Sequence, residues 1–138
     1  MTLRILLIED AKDLRQTLCH ALSVEGYRVQ AAASVADAWA LWTHATAHQP
    51  FDVVLLDLGL PDGDGYQLLK RLRALPATTT TTRPDVPTII MTGRDSADDC
   101  IVGLDGGADD YLTKPVRLQD LKMMLKRHLR HAESEHHL

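Results

Sequence analysis

The sequence predicts an α/β fold, a (βα)5 doubly wound five-stranded parallel sheet. Short apolar runs alternate five times with longer amphipathic stretches. Several of the runs are nearly continuous, which is typical of strands buried on both faces. Strands that alternate with helices form parallel sheets through right-handed crossovers, and this places helices on both faces of the sheet.

The first strand–helix unit is predicted from an apolar run and the helical spacing that follows it. Residues 3–8 form the run, and Leu18 and Leu22 lie on one face of a helix over 12–24. Gly26 ends that helix, as a glycine beyond the last turn is expected to do.

The remaining elements follow from the same patterns. They are a strand over 27–31, a helix from Val35 to about Ala47 capped by Ser34, a strand over 51–56, a helix over 66–75, a strand over 87–91, a weaker helix over 96–106, a short strand at 111–112 and an amphipathic helix over 118–131. Dense turn chemistry fills 60–65, and the five threonines of 78–82 indicate an exposed loop.

Composition limits the class of protein. The 138 residues are 45% hydrophobic and 25% charged, which suits one globular domain. The net charge of −4 argues against a chain that binds nucleic acid directly. No apolar run reaches the roughly 20 residues of a membrane span, and the N-terminus is unlike a signal peptide. Cys19 and Cys100 form no CxxC motif, so we expect reduced thiols in a cytoplasmic protein.

Polar side chains follow four of the predicted strands. They are Glu9 with Asp10, Asp57, Thr92 and Lys114. Each taken singly has an ordinary interpretation, such as a helix cap, a turn residue or a solvated amine. The carboxyl ends of parallel strands meet at one edge of the sheet, so together these residues predict a site there.

The residue types at this edge indicate phosphoryl chemistry. Three carboxylates repel one another unless a cation lies among them. Hard oxygen ligands suit Mg²⁺, for which Mn²⁺ could substitute. A carboxylate beside such an ion can attack phosphorus, while a lysine and a threonine hydroxyl contact the phosphoryl oxygens.

Four segments carry a family resemblance that covers about residues 3–131. They are ILLIED (5–10), DVVLLDLGLPDGDG (52–65), TIIMTGR (88–94) and GADDYLTKP (107–115). With these segments the sequence resembles a receiver domain of the bacterial two-component response regulators. The resemblance implies a flavodoxin-like sheet of strand order 2-1-3-4-5.

The resemblance also assigns roles to individual residues. Asp57 would be the phosphoacceptor, with Mg²⁺ held by Glu9, Asp10, Asp57 and the main-chain carbonyl of Gly59. Lys114 would contact the phosphoryl group and precede a cis peptide bond to Pro115. The further implied roles are Thr92 as the switch hydroxyl, Tyr111 as the aromatic switch, and Gly59 and Arg94 as positions that tune hydrolysis.

The implied function is signalling rather than enzymatic turnover. A sensor histidine kinase or a phosphotransfer protein would phosphorylate Asp57. The face formed by the fourth helix (96–106), fifth strand and fifth helix (118–131) would then change shape. We expect a receiver domain over 1–131, a flexible tail over 132–138 and no effector domain within this length.

Some features of the sequence modify this expectation. Gly59 has no side chain to orient a hydrolytic water, so we expect slow self-dephosphorylation. Residues 95–110 hold six acids and no base, and 114–131 hold six bases and one acid. This charge pattern suits a homodimer through the output face. The 107–115 segment most resembles regulators with winged-helix DNA-binding outputs, although Cys100, Val102 and Met124 replace basic residues usual in that subfamily.

Three alternatives remain open at the level of sequence. A phosphatase or phosphotransferase with an aspartate nucleophile usually has a second aspartate two residues later, where this chain has Gly59. A flavin carrier needs a phosphate-binding loop after the first strand, where Glu9 and Asp10 would repel phosphate. A docking module that is not phosphorylated is disfavoured because the strand-end set is intact.

Overall fold

A computed structural model describes residues 3–44, 50–74, 86–93 and 108–136, with side chains described as far as Leu129. The helix expected over 96–106, Arg94 and the threonine loop at 78–82 lie outside these residues. Among the helices that can be assessed, none is both long and apolar enough to cross a bilayer.

One parallel sheet of five strands forms the centre of the fold. Their spatial order is β2-β1-β3-β4-β5, which confirms the predicted order 2-1-3-4-5. The strands are β1 (Arg4–Ile8), β2 (Arg28–Ala32), β3 (Val53–Asp57), β4 (Thr88–Thr92) and β5 (Asp110–Thr113).

Helices cover both faces of this sheet. They are α1 (Lys12–Val24), α2 (Val35–Thr43), α3 (Gly65–Ala74) and the last helix (Leu118–His136). Gly26, at φ 97°, follows α1 as the sequence predicted, because the left-handed region costs glycine little. The Ser34 hydroxyl accepts a hydrogen bond from the Asp37 amide and caps α2.

Two hydrophobic cores lie on opposite faces of the sheet, because successive strand residues point to opposite sides. Leu6 and Ile8 of β1 pack with α2 and α3, where Trp42 is fully buried. Ile5 and Leu7 pack on the other side, against α1 and the last helix. This two-sided burial explains the unbroken apolar runs in the sequence.

Two details differ from the sequence expectation. The last helix continues to His136 instead of ending at His131, because Ala132, Glu133 and Glu135 favour helix and no glycine or proline stops it. The turn segment after Asp57 contains a two-residue antiparallel hairpin, Gly59–Leu60 with Gly63–Asp64. The predicted end of α2 at about Ala47 lies outside the described residues.

Candidate functional site

Three carboxylates come together at the carboxyl edge of the sheet. Glu9 and Asp10 follow β1, and Asp57 ends β3, which pairs directly with β1. One oxygen from each carboxylate lies within 4.8 Å of the others. Glu9 is fully buried and Asp57 is 5% exposed, whereas Asp10 faces solvent. We call these three residues the acidic cluster.

Lys114 reaches the acidic cluster from the other side of the site. Its ammonium Nζ lies 2.6 Å from Oε1 of Glu9 and 3.4 Å from Oδ1 of Asp57. The backbone holds Lys114 at this edge, because its N–H donates to the carbonyl of Thr92 over 2.7 Å. The peptide bond from Lys114 to Pro115 is cis.

The charges in the site perturb one another. Burial, followed by the hydrogen bond and negative charge of Asp57, raises the pKa of Glu9 from 4.5 to about 7, although Lys114 opposes the rise. Burial lowers the pKa of Lys114, but Glu9 and Asp57 outweigh burial and the net shift is upward. The site therefore favours a bound cation. Ionisation of Glu9 is unfavourable there, because its carboxyl group is buried beside Asp57.

Thr92 and Tyr111 lie on the two strands beyond Asp57. Thr92 ends β4 and is 4% exposed. Asp57 is in register with Met91, which directly precedes Thr92. Tyr111 is in register with Ile90 and packs, half-buried, against the core that contains Trp42. Thr92 therefore lies at the carboxyl edge of the sheet with the acidic cluster and Lys114, whereas Tyr111 lies two residues before the end of β5.

Hydrogen bonds fix the segment after Asp57. The Gly59 N–H donates to Oδ1 of Asp57 over 3.4 Å. The Asp62 carboxylate accepts from the amides of Val35 and Ala36 at the start of α2, over 2.7 and 3.0 Å. These bonds lower the pKa of Asp62. The hairpin that carries Gly59 is thus tied to α2.

Sequence reasoning missed a contribution of Arg15. Its Nη1 donates to the carbonyl oxygens of Glu9 over 3.0 Å and Asp10 over 3.1 Å. A cation in the first turn of a helix is disfavoured by the helix dipole. The same turn also holds Lys12, so the sequence alone did not single out Arg15.

The donor set fits a small hard cation. Three carboxylates within reach of one ion supply the oxygen ligands that Mg²⁺ prefers, and the exposure of Asp10 leaves that side open to water ligands. Mn²⁺ accepts the same ligands. The main-chain carbonyl of Gly59, on the hairpin beside Asp57, is the fourth protein ligand that the sequence suggested.

A sequence model of the family described as "Response regulator receiver domain" matches residues 5–126. The chain belongs to the response regulator receiver domain family. Receiver domains serve two-component signalling through a phosphorylatable aspartate, and they are signalling modules.

Known relatives agree with this assignment. The receiver is 42% identical to the transcriptional regulatory protein PmrA of Pectobacterium parmentieri, over 90% of this chain and 51% of the relative. It is 41% identical to the transcriptional regulatory protein BasR of Escherichia coli, over 96% of this chain and 57% of the relative. The chain thus spans about half the length of the curated relatives it matches.

Solved structures show the same fold. The receiver superposes on a CheY-like receiver domain protein from Methanospirillum hungatei with a TM-score of 0.83 and 31% identity, covering 98% of this chain and 99% of that one. A receiver domain from Francisella gives a TM-score of 0.81 at 27% identity, covering 95% and 99%. The flavodoxin-like, doubly wound fold is therefore that of known receivers.

Proposed function

We propose that this receiver accepts a phosphoryl group on Asp57 from a sensor histidine kinase or a phosphotransfer protein, in a reaction that requires Mg²⁺. The observation that carries the proposal is the contact of Lys114 with both Glu9 and Asp57 inside the acidic cluster. A carboxylate that contacts a lysine ammonium and belongs to a candidate metal site is suited to attack phosphorus.

Each residue has a distinct part in the transfer. An Asp57 oxygen forms the new bond to phosphorus while the phosphorus–nitrogen bond of the donor histidine breaks. The Lys114 ammonium contacts the free carboxylates before the transfer and a phosphoryl oxygen after it. Its flexible side chain allows this movement. The acidic cluster and the Gly59 carbonyl would hold Mg²⁺, which would neutralise charge on the phosphoryl oxygens.

Phosphorylation then alters the output face. The Thr92 hydroxyl donates to a phosphoryl oxygen, and Tyr111 moves into the space that the Thr92 side chain leaves. These contacts exist only in the phosphorylated state, so they shift the population between two packings of the surface around β5 and the last helix. We propose that a second copy docks on this face, because the acidic segment 95–110 is followed in sequence by the basic segment 114–131.

The names of two relatives support a proposal about the output. PmrA and BasR are named as transcriptional regulatory proteins. We therefore propose that this receiver, acting in the cytoplasm, controls transcription through its phosphorylation state and does not itself contact nucleic acid or membrane.

The phosphorylated form should be long-lived. Gly59 is exposed, and a side chain added there would meet no atom within 4 Å, so the position is open but offers no group to orient water. We propose that Gly59 and Arg94 set the hydrolysis rate. A Gly59→Gln variant should change the lifetime of the phosphorylated protein, and a wild-type lifetime of only seconds would contradict slow hydrolysis.

Intact-protein mass spectrometry tests the proposal. Incubation with acetyl phosphate and Mg²⁺ should add a phosphoryl group, a gain of about 80 Da, to the wild type. Asp57→Asn and wild type in EDTA should gain nothing. A wild type that remains unmodified with Mg²⁺ present, while a known receiver is modified in parallel, would point to docking without phosphorylation.

A further inference from the structure

We infer that Arg15 is a positioning residue for the acidic cluster and sets its affinity and size selectivity for divalent cations. The inference rests on the proposed function, because it concerns how the same site holds its metal ion. It starts from one contact: the guanidinium Nη1 bridges the main-chain carbonyls of Glu9 and Asp10.

The contact acts on the backbone that carries two of the three carboxylates. Both carbonyls belong to the segment between β1 and α1, where the helix begins at Lys12. Ala11 caps that helix without a side-chain hydrogen bond, although its N–H donates to Oε2 of Glu9 over 3.4 Å. Arg15 thus holds the segment between β1 and α1 through hydrogen bonds from its side chain on the helix.

Asp10 depends most on this contact. Its carboxylate is exposed, and in the described parts of the chain no hydrogen bond or ion pair orients it. The direction in which it points therefore follows from its backbone, whose carbonyl Arg15 holds. Glu9, in contrast, is also fixed by burial and by Lys114.

Helix geometry explains why an arginine serves here. Long side chains on a helix point back toward its N-terminus, so a residue of the first turn can reach the carbonyls that precede the helix. The helix dipole by itself disfavours a cation at this end of α1. The bridge to two carbonyls is the compensating interaction.

Positioning and simple charge make opposite predictions. If Arg15 acted only as a positive charge near the acidic cluster, its removal would strengthen the binding of a divalent cation. If it fixes ligand geometry, its removal weakens binding, and groups that orient metal ligands typically change affinity by about 10- to 100-fold. The sign of the change therefore separates the two.

Ion size gives a second readout. Mg²⁺ requires near-ideal octahedral geometry, whereas Ca²⁺ tolerates flexible ligands at longer distances. A charge change affects both divalent ions similarly. A loosened Asp10 should therefore weaken Mg²⁺ binding more than Ca²⁺ binding, so the ratio of the two dissociation constants moves toward Ca²⁺.

The experiment titrates the purified chain with Mg²⁺ and separately with Ca²⁺, followed by backbone amide NMR shifts. Arg15→Gln should raise the Mg²⁺ dissociation constant about tenfold and move the ratio toward Ca²⁺. Lys12→Gln is the control, since it removes the same charge from an exposed position in the same turn. It should leave the ratio unchanged and weaken neither ion.

Arg15→Lys covers the case in which the glutamine variant does not fold. It keeps the charge but has a shorter reach, so it should also favour Ca²⁺ relative to wild type. Unchanged or tighter Mg²⁺ binding in a folded Arg15 variant overturns the inference and leaves the proposed function standing. A wild type that binds no Mg²⁺ overturns the proposed function, and the inference with it.

Discussion

Replacement of Glu9 by glutamine should stabilise the metal-free protein at alkaline pH. Glu9 is fully buried, and its pKa is raised from 4.5 to about 7, chiefly by burial. A carboxyl group whose pKa is raised in the folded state adds stability at pH values below its pKa in the unfolded state. That stability is lost as the pH rises through the pKa of the folded state. Glutamine resembles the protonated acid and does not ionise.

The size of the effect follows from the pKa. A rise from 4.5 to about 7 corresponds to about 3 kcal/mol of unfolding free energy, lost by the wild type between roughly pH 4 and 8. Groups that do not contact Glu9 cancel in the difference between wild type and Glu9→Gln, and the effects of Asp57 and Lys114 are contained in the raised pKa of Glu9. That difference should grow from near zero at pH 4 to about 3 kcal/mol in favour of the variant at pH 8.

Urea denaturation in EDTA across this pH range measures the difference. Glu25→Gln is a matched control, because Glu25 is exposed and its ion pair with Lys122 lowers its pKa. The control should therefore lose stability relative to wild type at neutral pH and recover it as the pH falls. Saturating Mg²⁺ at pH 8 should stabilise wild type more than Glu9→Gln. A pH-independent difference between Glu9→Gln and wild type would refute the reasoning.

Three further variants test other contacts. Asp62→Asn should reduce stability at pH 7, and urea titrations should show the deficit vanishing as the pH falls below the lowered pKa of Asp62, where the carboxylate bonds to α2 are lost. Gly65→Ala should cost about 1–3 kcal/mol of unfolding free energy, because its Cβ would lie 2.7 Å from the carbonyl oxygen of Asp57. In the control Gly93→Ala, the added Cβ meets nothing within 4 Å, so this substitution should cost little. Leu125→Ala should lower the unfolding free energy by about 2–5 kcal/mol, since Leu125 is fully buried against the sheet; a loss under 1 kcal/mol would contradict this packing.

The sequence was informative where periodicity determines position. Unbroken apolar runs predicted strands buried on both faces, and parallel strands must align their carboxyl ends. The sequence alone therefore places Glu9, Asp57 and Lys114 at one edge. Their contacts in the structure, 2.6 and 3.4 Å from Lys114 to the two carboxylates, agree with that placement.

Other contacts depend on the path of the backbone and the reach of long side chains. Arg15 and Asp62 bind main-chain groups five to 27 residues away in sequence, and no periodic pattern encodes such pairs. The same holds for His128, whose Nε2 lies 3.0 Å from Oδ2 of Asp110. The packing of the last helix beside β5 brings this histidine to an acid that lies 18 positions away in sequence.

The position of the modified residue shows whether Asp57 is the phosphoacceptor. Borohydride reduces an aspartyl phosphate to homoserine, so peptide mass mapping after treatment with acetyl phosphate and Mg²⁺ locates the acceptor. Homoserine should form at position 57 alone, and none should form when EDTA replaces Mg²⁺. Homoserine at position 10 or at another aspartate, or labelling at Asp57 that persists without a divalent cation, would contradict it.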